Sequence, residues 1–218
     1  MRKSLQATLA SSLAVVCFSV VNPVHAQHPQ HDAKAAPTSV EILQTGAALR
    51  DLWVGHVFWV RNVVLETSTG NTAAATAAEQ EVVANAKQIS AAIEPFYGKA
   101  ASEKLFGLLA GHYGAVKQYL EATLANSKPR QDSAMKTLTG NAGDIAVFLS
   151  GANPNLPLET LRSLLLAHGA HHVQQIQQLR DKQYVQEAKT WDAMKNHMYV
   201  IADAMAAALV KQFPAKFS

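Results

Sequence analysis

His56, His112 and His168 recur at a constant interval of 56 residues. Each closes the same kind of lead: Leu49-x-x-Leu52-Trp53-x-Gly55-His56, Leu105-x-x-Leu108-Leu109-x-Gly111-His112 and Leu161-x-x-Leu164-Leu165-x-Ala167-His168. The same shift carries a second series, in which Val82, Asn85, Ile89 and Ile93 fall on Leu138, Asn141, Ile145 and Leu149, then on Met194, His197, Ile201 and Met205. A neutral imidazole presents one lone pair and one N–H, so histidines converging inside a fold suit zinc, copper, nickel or iron. His56, His112, His168 and His197 are therefore the candidate metal ligands. Asn85 and Asn141 are the candidate partners that orient a ring through its remaining N–H.

Two other readings stay open on the same residues. A buried imidazole with an unpaired nitrogen costs about 1–3 kcal/mol, so histidine and asparagine side chains could pair simply to hold the helices in register. Alternatively, two of the histidines could hold haem or another flat cofactor, with Gly55, Gly111, Gly114, Ala167, Gly169 and Ala170 leaving space beside them. Glycine inside a helix costs about 1 kcal/mol against alanine, so its recurrence beside histidine requires a reason. Without Cys-x-x-Cys-His such a haem would be non-covalent, and without Glu-x-x-His a carboxylate-bridged two-iron site is not indicated.

His168 and His172 have the i, i+4 spacing of a metal pair, but His171 and His172 occur in one of the three segments alone and read equally as a polar edge. Trp53, Trp59 and Trp191 read as core, Arg61 as a surface charge with an anion contact as the alternative, and His28 and His31 as residues of a loose leader.

The elements that must position these side chains are helical. Ile42, Leu49, Leu52, His56, Trp59, Val60 and Val63 keep the spacing of one helical face behind a Thr38-x-x-Glu41 capping box. Breakers at 68–71, 95–98, 126–129, 151–157 and 180–183 divide the rest into five more segments joined by short connections, which favours antiparallel neighbours. The expected fold is all-α: an up-and-down bundle of about six helices built from three 56-residue helical-hairpin repeats, roughly 41–96, 97–152 and 153–208. A short open solenoid is the runner-up. His56 and Asn85 are equidistant from Gly70, His112 and Asn141 from residues 126–127, and His168 and His197 from Lys182. Equal distances from a turn imply equal heights, so all six should form one layer, each roughly 20 Å from the helix ends at 1.5 Å per residue.

Residues 1–26 read as a secretory signal, with basic Arg2 and Lys3, an apolar stretch from Leu9 to Val21 and the small-residue site Val24-His25-Ala26. The apolar run is too short and too interrupted for a stable membrane anchor. Cys17, the one cysteine, lies within it, so the mature chain would carry no thiol or disulfide. Residues 27–38 read as a flexible leader and 39–218 as the bundle domain, in a protein that is periplasmic or secreted. Removing Arg2 and Lys3 lowers the net charge from +3 to +1, and no aromatic-interleaved basic patch points to nucleic acid. No phosphate-binding glycine loop, Gly-x-Ser-x-Gly or His-Glu-x-x-His occurs, which argues for a binding protein for a metal ion or small ligand over a conventional enzyme. The rival class is an enzyme using the same histidines as acid/base groups or as ligands of a metal with an open position.

Leu52-Trp53-x-x-His56-Val57-x-Trp59-x-Arg61, Pro95-Phe96-Tyr97-Gly98, Ala152-Asn153-Pro154-Asn155 and Lys211-Gln212-Phe213-Pro214-x-Lys216-Phe217 together resemble a family of little-characterised exported bacterial helical-bundle proteins, over about residues 45 to 217. Some members carry glycosyltransferase or acetylglutamate kinase labels. The resemblance implies the helical fold, histidines at positions 56, 112, 168 and 197, and asparagines at 85 and 141, with no particular reaction. This chain departs from the pattern at Val60 and at the added His171-His172.

Overall fold

The computed structural model describes residues 39–217. The expected signal, leader and Thr38 capping box, with Cys17, His28 and His31, lie outside the described residues. Six helices follow one another: α1 (Ser39–Ser68), α2 (Thr72–Tyr97), α3 (Lys99–Leu124), α4 (Lys128–Ala152), α5 (Leu158–Arg180) and α6 (Tyr184–Gln212), closed by a 3-10 turn at Pro214–Lys216. They pack as an up-and-down bundle without strands among the described residues. Each helix lies against the next, and α6 returns to α1. The odd helices α1, α3 and α5 also touch one another across the axis, while α2, α4 and α6 take the outer positions between them. Closure on α1 rules out the open solenoid.

Four of the five breakers act through left-handed backbone. Gly70 (φ 78°), Gly98 (φ 82°), Asn126 (φ 51°) and Lys182 (φ 57°) each reverse the chain, a conformation open to glycine at little cost and tolerated by asparagine. Pro95 stays within the last turns of α2, so the break falls at Gly98. Along α3 the buried residues Leu105, Leu109, His112, Val116, Tyr119, Leu120 and Thr123 keep the three-and-four spacing of one inward stripe.

Those stripes build two apolar clusters. One takes in Trp53, Val57, Ile89, Leu109, Ile145, Leu165 and Ile201; the other takes in Val60, Val63, Val82, Val116, Leu138, Ile176 and Leu179. His56 and His112 lie along their helices between the two clusters, so the bundle interior is apolar, then polar, then apolar. Burying a leucine, isoleucine or valine side chain contributes roughly 1.5–3 kcal/mol, and the two clusters offset the cost of the polar layer.

The stretches 95–98, 152–155 and 211–217 meet at one end of the bundle. Asn153 Nδ2 donates to the Tyr97 hydroxyl (3.0 Å), Tyr97 donates to Gln212 Oε1 (2.8 Å), and Gln212 Nε2 donates to the Ala152 carbonyl (3.0 Å). Phe96 stacks on Phe217, with ring centroids 5.9 Å apart. Residues from three distant stretches therefore latch the α2–α3 turn, the α4–α5 loop and the end of α6 together. Their role is structural, at a distance from the histidines.

Candidate metal centre

His56 from α1, His112 from α3, and His168 and His172 from α5 meet on the bundle axis, each 2–4% exposed. One nitrogen from each can be chosen so that all lie within 4.8 Å of one another. The ring centroids are 5.8 Å apart for His56–His112, 5.5 Å for His56–His168, 5.7 Å for His56–His172, 5.2 Å for His112–His168, 5.7 Å for His112–His172 and 4.5 Å for His168–His172. Six mutual distances of 4.5–5.8 Å set the four rings at the corners of an irregular tetrahedron. A metal with nitrogens at about 2.0–2.1 Å sets the edge of such a tetrahedron near 3.3 Å. The Nε2 atoms of His168 and His172 are 3.2 Å apart, at that spacing already.

Burial and mutual repulsion keep these rings neutral. Burial pushes His56 down to about 3, with His112 adding to the fall. Burial takes His112 down to about 4, against a weaker opposite pull from the Asn141 amide. His168 and His172 lie well below the ordinary value, burial acting first and the neighbouring imidazoles next. Both ring nitrogens of His112, Nε2 of His56 and Nδ1 of His168 have no hydrogen-bond partner. A purely structural polar layer satisfies its members; this one leaves ring nitrogens of His56, His112 and His168 unpaired in the interior.

His197 lies outside this set. Its Nε2 donates to the Leu164 carbonyl at 2.8 Å, and its ring faces His171 with centroids 5.4 Å apart. Asn85 and Asn141 make the corresponding contacts, donating from Nδ2 to the Leu52 and Leu108 carbonyls at 3.0 Å each. All three occupy outer helices, where an inward side chain meets the backbone of an inner helix before it can reach the axis. The expected common height holds, but height does not decide which residues reach the centre. His172 fills the place that the sequence offered to His197. Its i, i+4 relation to His168 was the available signal, because that spacing puts both rings on one face of α5.

The recurrent glycines have a steric reason. A Cβ on Gly55 would lie 3.0 Å from Asn85 Nδ2, and one on Gly111 would lie 3.1 Å from Asn141 Nδ2. The space beside these histidines belongs to the asparagine amides. What remains, bordered by Trp53, His56, Leu109, His112, Ile145 and His168, is a void of about 10 Å³, room for one water. A porphyrin does not fit there, and the haem reading is set aside.

Arg61 is no free surface charge. It grips Glu187 with two hydrogen bonds of 2.6 Å and lies over the Trp191 ring. Glu187 is buried and also accepts from Gln175 Nε2 at 3.0 Å. The pair ties α1 to α6 and α5 and uses up that carboxylate. The metal set therefore contains four neutral donors and no acid. Comparison of the chain with protein-family models, with curated proteins and with solved structures gives no match, and the geometry of the four histidines is what bears on function.

Proposed function

We propose that this is an exported protein that binds one transition-metal ion inside its helical bundle through His56, His112, His168 and His172. The observation that carries this reading is the close grouping of four buried, neutral imidazoles, in which Nε2 of His56, both ring nitrogens of His112 and Nδ1 of His168 have no hydrogen-bond partner. A filled-shell ion imposes no geometry of its own, and four nitrogens at tetrahedral corners suit zinc. Neutral ligands leave the ion's charge uncompensated in the interior, and an ion of lower charge is desolvated at less cost, which keeps monovalent copper beside zinc. Four protein donors close the coordination shell, as in sites that hold a metal, whereas a catalytic site keeps one position open. Binding without a reaction is thus the favoured class. Export to the periplasm or beyond is supported by Arg2-Lys3, the Leu9–Val21 stretch and Val24-His25-Ala26; no described helix is long and apolar enough to cross a membrane.

Equilibrium titration with zinc and with copper(I) tests the reading. The protein is expected to take up one ion per chain, and His172→Ala to lose it while keeping its helical circular dichroism. Full stoichiometry and affinity in folded His172→Ala would show that the cluster is not the site.

A further inference from the structure

The third hairpin holds more histidine than the other two, and the excess lies beside the cluster. Positions 59 and 60 are Trp and Val, and positions 115 and 116 are Ala and Val; the matching positions in α5 are His171 and His172. His172 joins the buried set, but His171 is half-buried on the flank of α5. It faces His197 of α6, also half-buried, at 5.4 Å between centroids. In α2 and α4 an asparagine amide makes the bond to the inner-helix carbonyl, at Leu52 and Leu108. His197 makes that bond with its Nε2–H, and an imidazole that donates from Nε2 keeps a lone pair on Nδ1. His171 Nδ1 has no hydrogen-bond partner. Two nitrogens on one ion at about 2.0–2.1 Å place their ring centres roughly 5–6 Å apart, as these are.

We infer that His171 and His197 form the entry port of the bundle, a two-nitrogen station on the α5–α6 flank that captures a transition-metal ion and passes it inward to His172 and His168. The inference rests on the metal-binding reading above. The four ligands are almost wholly covered, so an incoming ion needs a polar stepping point, and the two apolar clusters provide none. From the port the route inward is short: His171 adjoins His172 in the chain, and His172 contacts His168 at 3.2 Å. The ion is stripped of water in two stages, with two nitrogens replacing part of its shell at the flank and four completing the exchange at the axis.

Stopped-flow uptake of cobalt(II), followed by its visible ligand-field bands, separates port from site. His171→Ala removes one station nitrogen. His197→Asn removes the other but keeps an amide to donate to the Leu164 carbonyl, as Asn85 and Asn141 do at their own positions. The double variant is expected to load at least about tenfold more slowly and to release cobalt to a chelator more slowly by the same factor, leaving the dissociation constant within about twofold. Wild-type loading and release rates in the double variant would overturn the port while leaving the four-histidine site standing. A tenfold weaker dissociation constant with unchanged association would overturn it too, because the two residues would then be ligands. Wild-type protein that takes up no cobalt would overturn both port and site.

Discussion

The metal-free protein is expected to lose a large part of its stability between pH 7 and pH 5. In the unfolded chain each histidine titrates near its ordinary value of about 6.5. In the folded bundle burial holds His56 at about 3 and His112 at about 4, and His168 and His172 are lowered in the same direction. Below pH 6.5 the unfolded chain therefore binds more protons than the folded one, and stability falls as pH falls. Each group costs about 1.4 kcal/mol per pH unit until the folded state also titrates. At pH 5 that amounts to about 2 kcal/mol for each of His56 and His112, or about 4 kcal/mol for the two, with His168 and His172 acting in the same direction, against a total of about 5–15 kcal/mol for an ordinary domain. For a chain of this size the thermal midpoint should drop by at least about 8 °C. Thermal unfolding followed at pH 7, 6, 5.5 and 5 in the presence of a chelator reads this directly. A midpoint that is flat across that range would mean that the imidazoles take up protons freely, in conflict with their burial. Saturating zinc should move the loss to lower pH, because the metal binds the same neutral lone pairs that protons compete for.

Replacing His112 by leucine should raise the stability of the metal-free fold while destroying the site. Both ring nitrogens of His112 are buried without a partner, and a desolvated, unsatisfied polar group costs about 1–3 kcal/mol. Leucine is of similar size and continues the run of Leu105 and Leu109 on the same stripe. The expected result is a gain of about 1–3 kcal/mol at pH 7 by urea unfolding in chelator, with a shallower acid dependence. Metal affinity should fall by more than the about 10–100-fold that loss of an outer partner costs. A register-fixing layer predicts the opposite sign, since removing one member would leave its neighbours unpaired. A destabilised His112→Leu with unchanged metal content would overturn the functional account.

Much of this architecture is legible in the residues. The breakers around Gly70, Gly98, Asn126 and Lys182 mark the turns because left-handed backbone is a local property of those positions. The equal spacing of His56, His112 and His168 from the turns gives a common height, because helical rise is uniform. What local pattern does not contain is the division into inner and outer helices. His197 lies on an inward stripe just as His112 does, yet α6 stands outside and its stripe meets the Leu164 carbonyl. Only the mutual contact of α1, α3 and α5 puts His56, His112 and His168 on the axis. His172 reaches the same point because it lies one turn beyond His168 on an inner helix. The pairing of Arg61 with Glu187 spans 126 positions, and no local periodicity could join them. The glycines beside the histidines announce a close approach, but its occupant, an asparagine amide, comes from the neighbouring helix.

X-ray absorption at the metal edge of the zinc- or cobalt-loaded protein tests the central claim most directly. The account predicts one ion per chain with four nitrogen neighbours at about 2.0–2.1 Å, the outer-ring scattering of four imidazoles and no oxygen in the shell. A shell of five or six donors dominated by oxygen would contradict it, as would a protein that leaves the metal behind on desalting.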